Sequence, residues 1–289
     1  MGMYGRMCVN SFSICNQEFQ SIGSGMYLAA SIVDHSCKPN AVVTFQGTTL
    51  YMRALEEIPA LDWTKIFISY IDVMALKEER QKELEKNYYF LCQCPKCLQP
   101  EPVIEMTGGV CPNNDCDNCI DMSSTKAGHS CSKCATEITE EFVRQFHEIM
   151  DMTSMHLDAM RETPSVLDVC EVCLRKHEGV LYKYNIKHIK ILDLTFDSCI
   201  DFGKFENATK YGLELIKSYR EFYGKTHPMT GLLHLKLGKL LIYEGKVKDA
   251  LEHLMQAKQI LKITHGVTSP LYEEHLLPLY RQAIAECGG

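Results

Sequence analysis

Cysteine is the residue type in this chain with the most chemistry to offer: fifteen are spread over 289 residues, and nine of them fall between Cys37 and Cys134. The chain opens Met1-Gly2-Met3-Tyr4-Gly5-Arg6, with neither the apolar stretch of a signal peptide nor a Ser or Thr at position 6 of a myristoylation signal. A reducing compartment, cytosol or nucleus, is therefore expected, and thiols kept free there serve metals or catalysis rather than a disulfide framework. Cys92, Cys94 and Cys97 form Cys-x-Cys-x2-Cys, three donors for a structural zinc that closes a tetrahedron with four. The missing donor must come from elsewhere. Cys37 stands in a polar turn ahead of a strand-like run, whereas Cys8 and Cys15 lie in apolar-rich stretches.

A second group reads Cys111-x4-Cys116-x2-Cys119, then eleven residues, then Cys131-x2-Cys134. Cys111 and Cys116 with Cys131 and Cys134 have the outline of a zinc ribbon, and Cys116-x2-Cys119 is an alternative first knuckle, so five thiols compete for four places. Cys170-x2-Cys173 has the same spacing but sits among apolar residues at helical period, so both thiols are expected in core packing, as are Cys199 and Cys287.

The elements that must hold these groups differ along the chain. Ala41–Phe45, Thr49–Ala54 and Lys65–Tyr70 are short β-type runs, the first two joined as a hairpin through Gln46-Gly47-Thr48, and Glu78–Lys86 is a charged helix leading into the cysteine triplet. Thr139-Glu140-Glu141 caps an amphipathic helix carrying Phe142, Phe146, Ile149 and Met150. From residue 160 the pattern is helical, opening on Thr163-Pro164. Gly203-Lys204-Phe205-Glu206-Asn207-Ala208 returns as Gly245-Lys246-Val247-Lys248-Asp249-Ala250, and Gly224-x-Thr226-x-Pro228 as Gly266-x-Thr268-x-Pro270. Helix, glycine turn, small alanine and second helix make a tetratricopeptide-like repeat with lengthened helices, with a weaker earlier copy over 166–184 and a further helix from Pro270 to Ala285. A concave face of such repeats is a possible site for a peptide partner.

Net charge is −7, and residues 101–160 alone hold eleven acidic side chains against three basic ones. No basic face for nucleic acid stands out, and no apolar run approaches the roughly 20 residues of a membrane span. The acidic middle suits a basic protein substrate.

The order Asp34-His35-Ser36-Cys37-x-Pro39-Asn40, then Ser69-Tyr70-Ile71-Asp72, then Tyr88-x-Phe90-x-Cys92-x-Cys94-x2-Cys97, resembles the C-terminal half of a SET domain with its post-SET zinc site. With the helical repeats that follow, the chain resembles the SMYD family of protein-lysine methyltransferases. The resemblance implies an α+β fold: a partial SET β-fold with a post-SET zinc site over residues 1–100 and an all-α tetratricopeptide-like domain over 139–289; the zinc-ribbon-like insert over 101–138, read from its cysteine spacing, falls outside the family's core pattern. It makes Cys37 the fourth ligand to Cys92, Cys94 and Cys97. It places Asp34, His35, Tyr70 and Phe90 against S-adenosylmethionine, and gives Tyr70 and Tyr88 the catalytic task of lining the lysine channel and orienting the amine. Two zinc ions, a protein substrate bearing a lysine on a histone or non-histone tail, no nucleic acid, no membrane, and work in nucleus and cytoplasm complete the expectation.

Against the family pattern, Asp34 puts a carboxylate where an amide stands, and Ala60-Leu61-Asp62-Trp63-Thr64-Lys65 replaces a Gly-Glu-Glu turn. The glycine-rich cofactor loop and the MYND finger are expected upstream of residue 1. The alternative from a different class is a non-catalytic interaction module built on zinc and helical repeats.

Overall fold

The structure is a computed structural model and describes residues 2–160 and 167–288. Helix α1 (Met3–Asn10) leads into strands β1 (Ser11–Cys15) and β2 (Ser21–Met26), followed by β3 (Asp34–His35), β4 (Ala41–Gln46), β5 (Thr49–Ala54) and β6 (Phe67–Ile68). Then come α2 (Lys77–Tyr88), α3 (Pro95–Leu98), α4 (Val103–Thr107), β7 (Gly109–Val110), β8 (Cys119–Ile120) and α5 (Glu140–Met160). Helices α6 (Leu167–His177), α7 (Ile186–Asp201), α8 (Phe205–Phe222), α9 (Pro228–Tyr243) and α10 (Val247–Thr264), a π-helical turn (Leu271–Leu276) and α11 (Leu277–Gly288) complete the chain. The class is α+β. Two compact units form: Met1–Glu101 with Tyr219–Gly289, and Pro102–Ser218. The helical stretch 139–289 is thus shared between them.

In the first unit the strands pair two by two. Strands β4 and β5 make the hairpin that the sequence suggests, Gln46 facing Thr49 across a turn in which Gly47 takes φ 58°. The third β-type run narrows to the two residues of β6, which pair in parallel with β3, Asp34 opposite Phe67 and His35 opposite Ile68. Strands β1 and β2 pair antiparallel with Phe12 opposite Gly25. Helix α2 carries Glu78 and Glu79 in its first turn and Lys86 in its last, matching the helix dipole, and buries Arg80 and Leu84 four residues apart on one face. Helix α9 is apolar nearly all round and buried. A Cβ on Gly238 would stand 2.6 Å from the Leu254 side chain, so glycine lets α10 approach closely.

The glycines of the 42-residue repeat share one backbone state: Gly203, Gly245, Gly224 and Gly266 have φ of 69°, 74°, 90° and 83°, each just past a helix end. Ala208 and Ala250 are fully buried. Thr163-Pro164 and the first residue of the weaker copy, Val166, lie outside the described residues.

In the second unit, α5 begins where Thr139 Oγ1 accepts the Phe142 amide at 3.1 Å. It lays Phe142, Phe146 and Ile149 on Ile120, Met122, Ile138, Val180 and Leu181 of the cysteine-rich lobe and its neighbours. Cys170 and Cys173 are buried with Ile191 as core thiols, and Cys199 is buried as well. Cys287 is not: it sits exposed in the last turn of α11, where the periodic pattern runs out at a helix end. No helix among the described residues is long and apolar enough to cross a membrane.

Candidate functional site

The two residues of β3 and the turn after β6 hold the centre of the site. The Ser36 amide donates to the Ile68 carbonyl at 2.9 Å, which fixes the chain on both sides of the His35–Cys37 turn. His35 Nδ1 accepts the Tyr70 amide at 3.0 Å, so its proton is on Nε2, which lies 3.2 Å from Cys37 Sγ and donates to it. Burial, and then the Arg80 charge, hold His35 down at about 4, so the ring is neutral. Both ring nitrogens of His35 are therefore engaged inside the protein, one positioning Tyr70 and one serving the thiol cluster. Asp34, beside it, is exposed.

The aromatic residues gather around this turn. The Tyr70 ring lies 5.3 Å from His35 and 4.9 Å from Tyr88, and Phe90 lies 6.1 Å from His35. The Tyr70 hydroxyl donates to the Val33 carbonyl at 2.5 Å, and Tyr88 donates to the Tyr70 carbonyl at 3.4 Å. Burial first, then Asp34 and Tyr88, push Tyr70 up to about 12, so it stays protonated at neutral pH. Its hydrogen is spent on Val33, and its oxygen lone pairs remain to accept from a ligand N–H. Tyr70 and Tyr88 line a cavity of about 230 Å³ with Phe12, Phe19, Thr44 and His265.

Cys37 meets Cys92, Cys94 and Cys97 in one group whose four sulfurs lie within 4.8 Å of one another. Cys94 caps the short helix α3, with the Cys97 amide on its carbonyl at 2.9 Å and Pro95 at the first helical position. The Cys37–Cys97 and Cys37–Cys92 sulfur distances are 3.6 and 4.0 Å. A tetrahedron with zinc–sulfur bonds of about 2.3 Å has edges of about 3.8 Å, so the donor set fits that ion. Although burial raises the Cys94 thiol, backbone amides of Cys97 and Cys37 draw it down to about 6, while burial lifts Cys37 well above the usual thiol range.

Arg80, with no side-chain exposure, reaches this group from α2. Its Nη1 is 2.7 Å from Glu101 Oε1 and also donates to the Ala75 carbonyl, and its Nη2 lies 4.0 Å from Cys97 Sγ. A fully buried guanidinium beside four sulfur donors offsets the charge that they would carry as thiolates on a metal ion, charge otherwise costly to bury. Nothing in the spacing of Arg80 and Glu101 marks them as partners, and sequence reasoning missed both.

The second group is Cys111, Cys116, Cys131 and Cys134, again within 4.8 Å. The Cys111–Cys134 and Cys116–Cys131 distances of 3.5 and 3.9 Å fit the same tetrahedron. The Thr136 hydroxyl and amide draw Cys134 down to about 6. The Asn118 side chain and the Lys133 amide each donate to Cys131 Sγ at 3.4 Å. Cys119 stands outside the group, its thiol donating to the Ile104 carbonyl at 3.3 Å, and burial pushes it up to about 12.

No family model matches the chain. Among curated proteins it is similar to the histone-lysine N-methyltransferase SMYD3 of Mus musculus, 30% identical over 276 residues, which are 96% of this chain and 57% of that protein. The N-lysine methyltransferase SMYD2-A of Xenopus laevis is 29% identical over 91% of this chain and 56% of its own length. The histone-lysine N-methyltransferase ASHR1 of Arabidopsis thaliana is 27% identical over 94% and 58%. The chain thus spans a little over half the length of the curated relatives it matches.

Proposed function

We propose that this chain, which belongs to the SMYD family of lysine methyltransferases, supplies the lysine-facing part of a SET-type active site that methylates a lysine of a histone or other protein, in nucleus and cytoplasm. The observation that carries the reading is the joining of Tyr70, Tyr88, His35 and Cys37 in one hydrogen-bonded turn against a cavity. In this reading the two thiol groups hold zinc, the first of them fastening the turn that aims the tyrosines.

S-adenosylmethionine, when bound, supplies an electrophilic methyl group on a sulfonium. The residues suit a cationic partner: Asp34 is exposed and anionic, His35 is neutral, and the Arg80 charge is tied to Glu101. What this chain's residues do is orient and desolvate the amine. With its hydrogen committed to Val33, the Tyr70 oxygen accepts one amine N–H and so turns the nitrogen lone pair along a fixed direction. The tilted Tyr70–Tyr88 pair keeps the slot narrow and apolar, which favours the neutral amine and stabilises cationic character on the nitrogen as it forms. Tyr70→Phe keeps the ring and removes the acceptor. It is expected to lower kcat by about 10–100-fold with cofactor affinity unchanged, as removal of an interaction made chiefly in the transition state does. Calorimetric titration with S-adenosylmethionine beside the rate measurement, in protein that carries the upstream segment expected to hold the cofactor loop, checks this. A fall in cofactor affinity with unchanged kcat would remove Tyr70 from the amine, and a wild-type protein that binds no S-adenosylmethionine while retaining both zinc ions would favour an interaction module.

A further inference from the structure

We propose that Tyr182 and Tyr184, in the turn between α6 and α7, form an aromatic corner that holds the methylated ammonium of a methyl-lysine in a protein tail. Their ring centroids are 5.8 Å apart, with the ring planes at 79° to one another. The ammonium of Lys183 stands over both rings, 5.7 Å from the Tyr182 centroid and 5.3 Å from that of Tyr184. The corner thus already holds a cation, supplied by the residue between its two walls. Both tyrosines are half-buried and Lys183 is exposed, so the lysine side chain can leave for water and an incoming one can take its place.

The backbone beneath the rings is fixed. The Tyr182 amide donates to the Gly108 carbonyl at 3.2 Å, the Tyr182 carbonyl accepts the Asn185 amide at 2.8 Å, and Leu181 bridges to Gly109. Asn185, fully buried, ties down the same turn: its Nδ2 donates to the Gly108 carbonyl at 3.0 Å, and its Oδ1 caps α7 by accepting the Lys187 amide at 3.1 Å. A site whose walls are held before the ligand arrives loses less on binding.

Distance and charge select the ligand. A methyl carbon touches ring atoms at about 3.5–4.0 Å and lies about 1.5 Å from its nitrogen, so a methylated nitrogen rests about 5–5.5 Å from a ring face. The two nitrogen–centroid distances are of about that size, which leaves room for a methyl group between the nitrogen and each ring. An unmethylated ammonium is more strongly hydrated and gives up more on leaving water. The ring faces attract the cation, and the exposed carboxylates of Glu105 and Asp117 add negative potential. Their reach is visible at Tyr182, where burial first, then Cys119, Glu105, Tyr184 and Asp117, hold the hydroxyl above its usual range. Asp117 is held below the usual carboxylate range first by Lys133, and Lys183 also draws it down. Such surroundings suit the other basic residues of a lysine-rich tail and repel the phosphate of phosphocholine, a second carrier of a methylated ammonium.

The test uses the zinc-loaded 289-residue chain and fluorescein-labelled heptapeptides of six alanines around one trimethyl-lysine, one unmethylated lysine, or the neutral isostere in which a quaternary carbon replaces the nitrogen. Trimethyl-lysine should bind at least about fivefold more tightly than either of the others. Lys183→Ala frees the corner and should tighten trimethyl-lysine binding about three- to tenfold, because a tethered competitor lowers apparent affinity by the fraction of time it occupies the site. Tyr184→Ala added to Lys183→Ala should remove the preference over the isostere. In the wild-type chain the ¹H signal of the trimethyl group should move upfield under the two rings, a readout that needs no variant to fold. No binding of the trimethyl-lysine peptide to either chain, equal binding of its isostere, an unmoved methyl signal at saturation, or a folded Lys183→Ala that binds more weakly than wild type overturns the proposal. Phosphocholine that binds as tightly as the trimethyl-lysine peptide overturns the assignment to a protein tail. None of these outcomes depends on methyl transfer at Tyr70 and Tyr88.

Discussion

Replacing Arg80 by Met tests whether the buried ion pair holds the first thiol group in place. Arg80 has 0% side-chain exposure and Glu101 8%, with 2.7 Å between Nη1 and Oε1. Removing one partner of such a pair strands the other, which typically costs about 3–5 kcal/mol. Glu101 would keep one bond, since its Oε2 accepts the Lys77 amide at 2.7 Å, so the lower end applies: about 3 kcal/mol, or roughly 150-fold in the folding equilibrium. Arg80→Lys keeps the charge but cannot span Glu101, the Ala75 carbonyl and the Cys97 sulfur from one nitrogen, and should fall between wild type and Arg80→Met. The double change Arg80→Met with Glu101→Leu removes the stranded charge and should recover most of the loss. Urea unfolding of the zinc-loaded chain gives the energies, and release of zinc to a chromogenic chelator should be faster in Arg80→Met. A single variant within about 1 kcal/mol of wild type, or a double variant no better than the single, would refute the reasoning.

His177 and His234 are buried and pulled from 6.5 to about 3, by burial first and then by His188 and His253 respectively. The unfolded chain binds these protons below pH 6.5 and the folded one does not, so stability is full above that pH and falls as pH drops toward 3, by up to about 1.4 kcal/mol per pH unit for each. Urea midpoints that stay level from pH 7.5 to 5 would contradict this. Cys97→Ser should remove one zinc per chain by elemental analysis while Cys119→Ser removes none, since Cys119 stands outside both groups. Gly245→Ala meets open space and should cost only the left-handed backbone penalty of about 1–2 kcal/mol, whereas Gly266→Ala also meets Arg53 and should cost more; equal shifts in thermal midpoint would show that the Arg53 contact is not formed.

What was legible in the sequence is what metal geometry or helix periodicity imposes over a few residues. The knuckle spacings of Cys92–Cys97 and Cys131–Cys134 announce themselves, because each pair must reach one ion from a tight turn. The repeat is visible because its glycines take φ values that other residues rarely adopt. Cys37 is different: its distance of 55 residues from Cys92 contains no signal, and only the likeness of the Asp34–Asn40 turn to the family pointed to it. Strands β1 and β2 went unread because Ser11–Cys15 is only five residues long and half-buried, while Ser21–Met26 is mostly exposed and rich in serine and glycine, with Gly25 set under the Tyr27 ring rather than in a turn. The β3–β6 pair is two residues long and parallel, below anything periodicity resolves. Arg80 and Glu101 are found as partners only once distant elements meet.

The central claim is tested most directly by methyl transfer to lysine. Zinc-loaded protein carrying these 289 residues behind the upstream segment expected to hold the cofactor loop is incubated with S-adenosylmethionine labelled in its methyl group and a lysine-bearing histone tail, and the labelled residue is located by mass spectrometry, with Tyr70→Phe in parallel. Label confined to lysine side chains, and reduced at least tenfold by Tyr70→Phe, is the predicted result. Protein that keeps both zinc ions and its fold yet puts no label on lysine, or labels equally with Tyr70→Phe, would contradict the account.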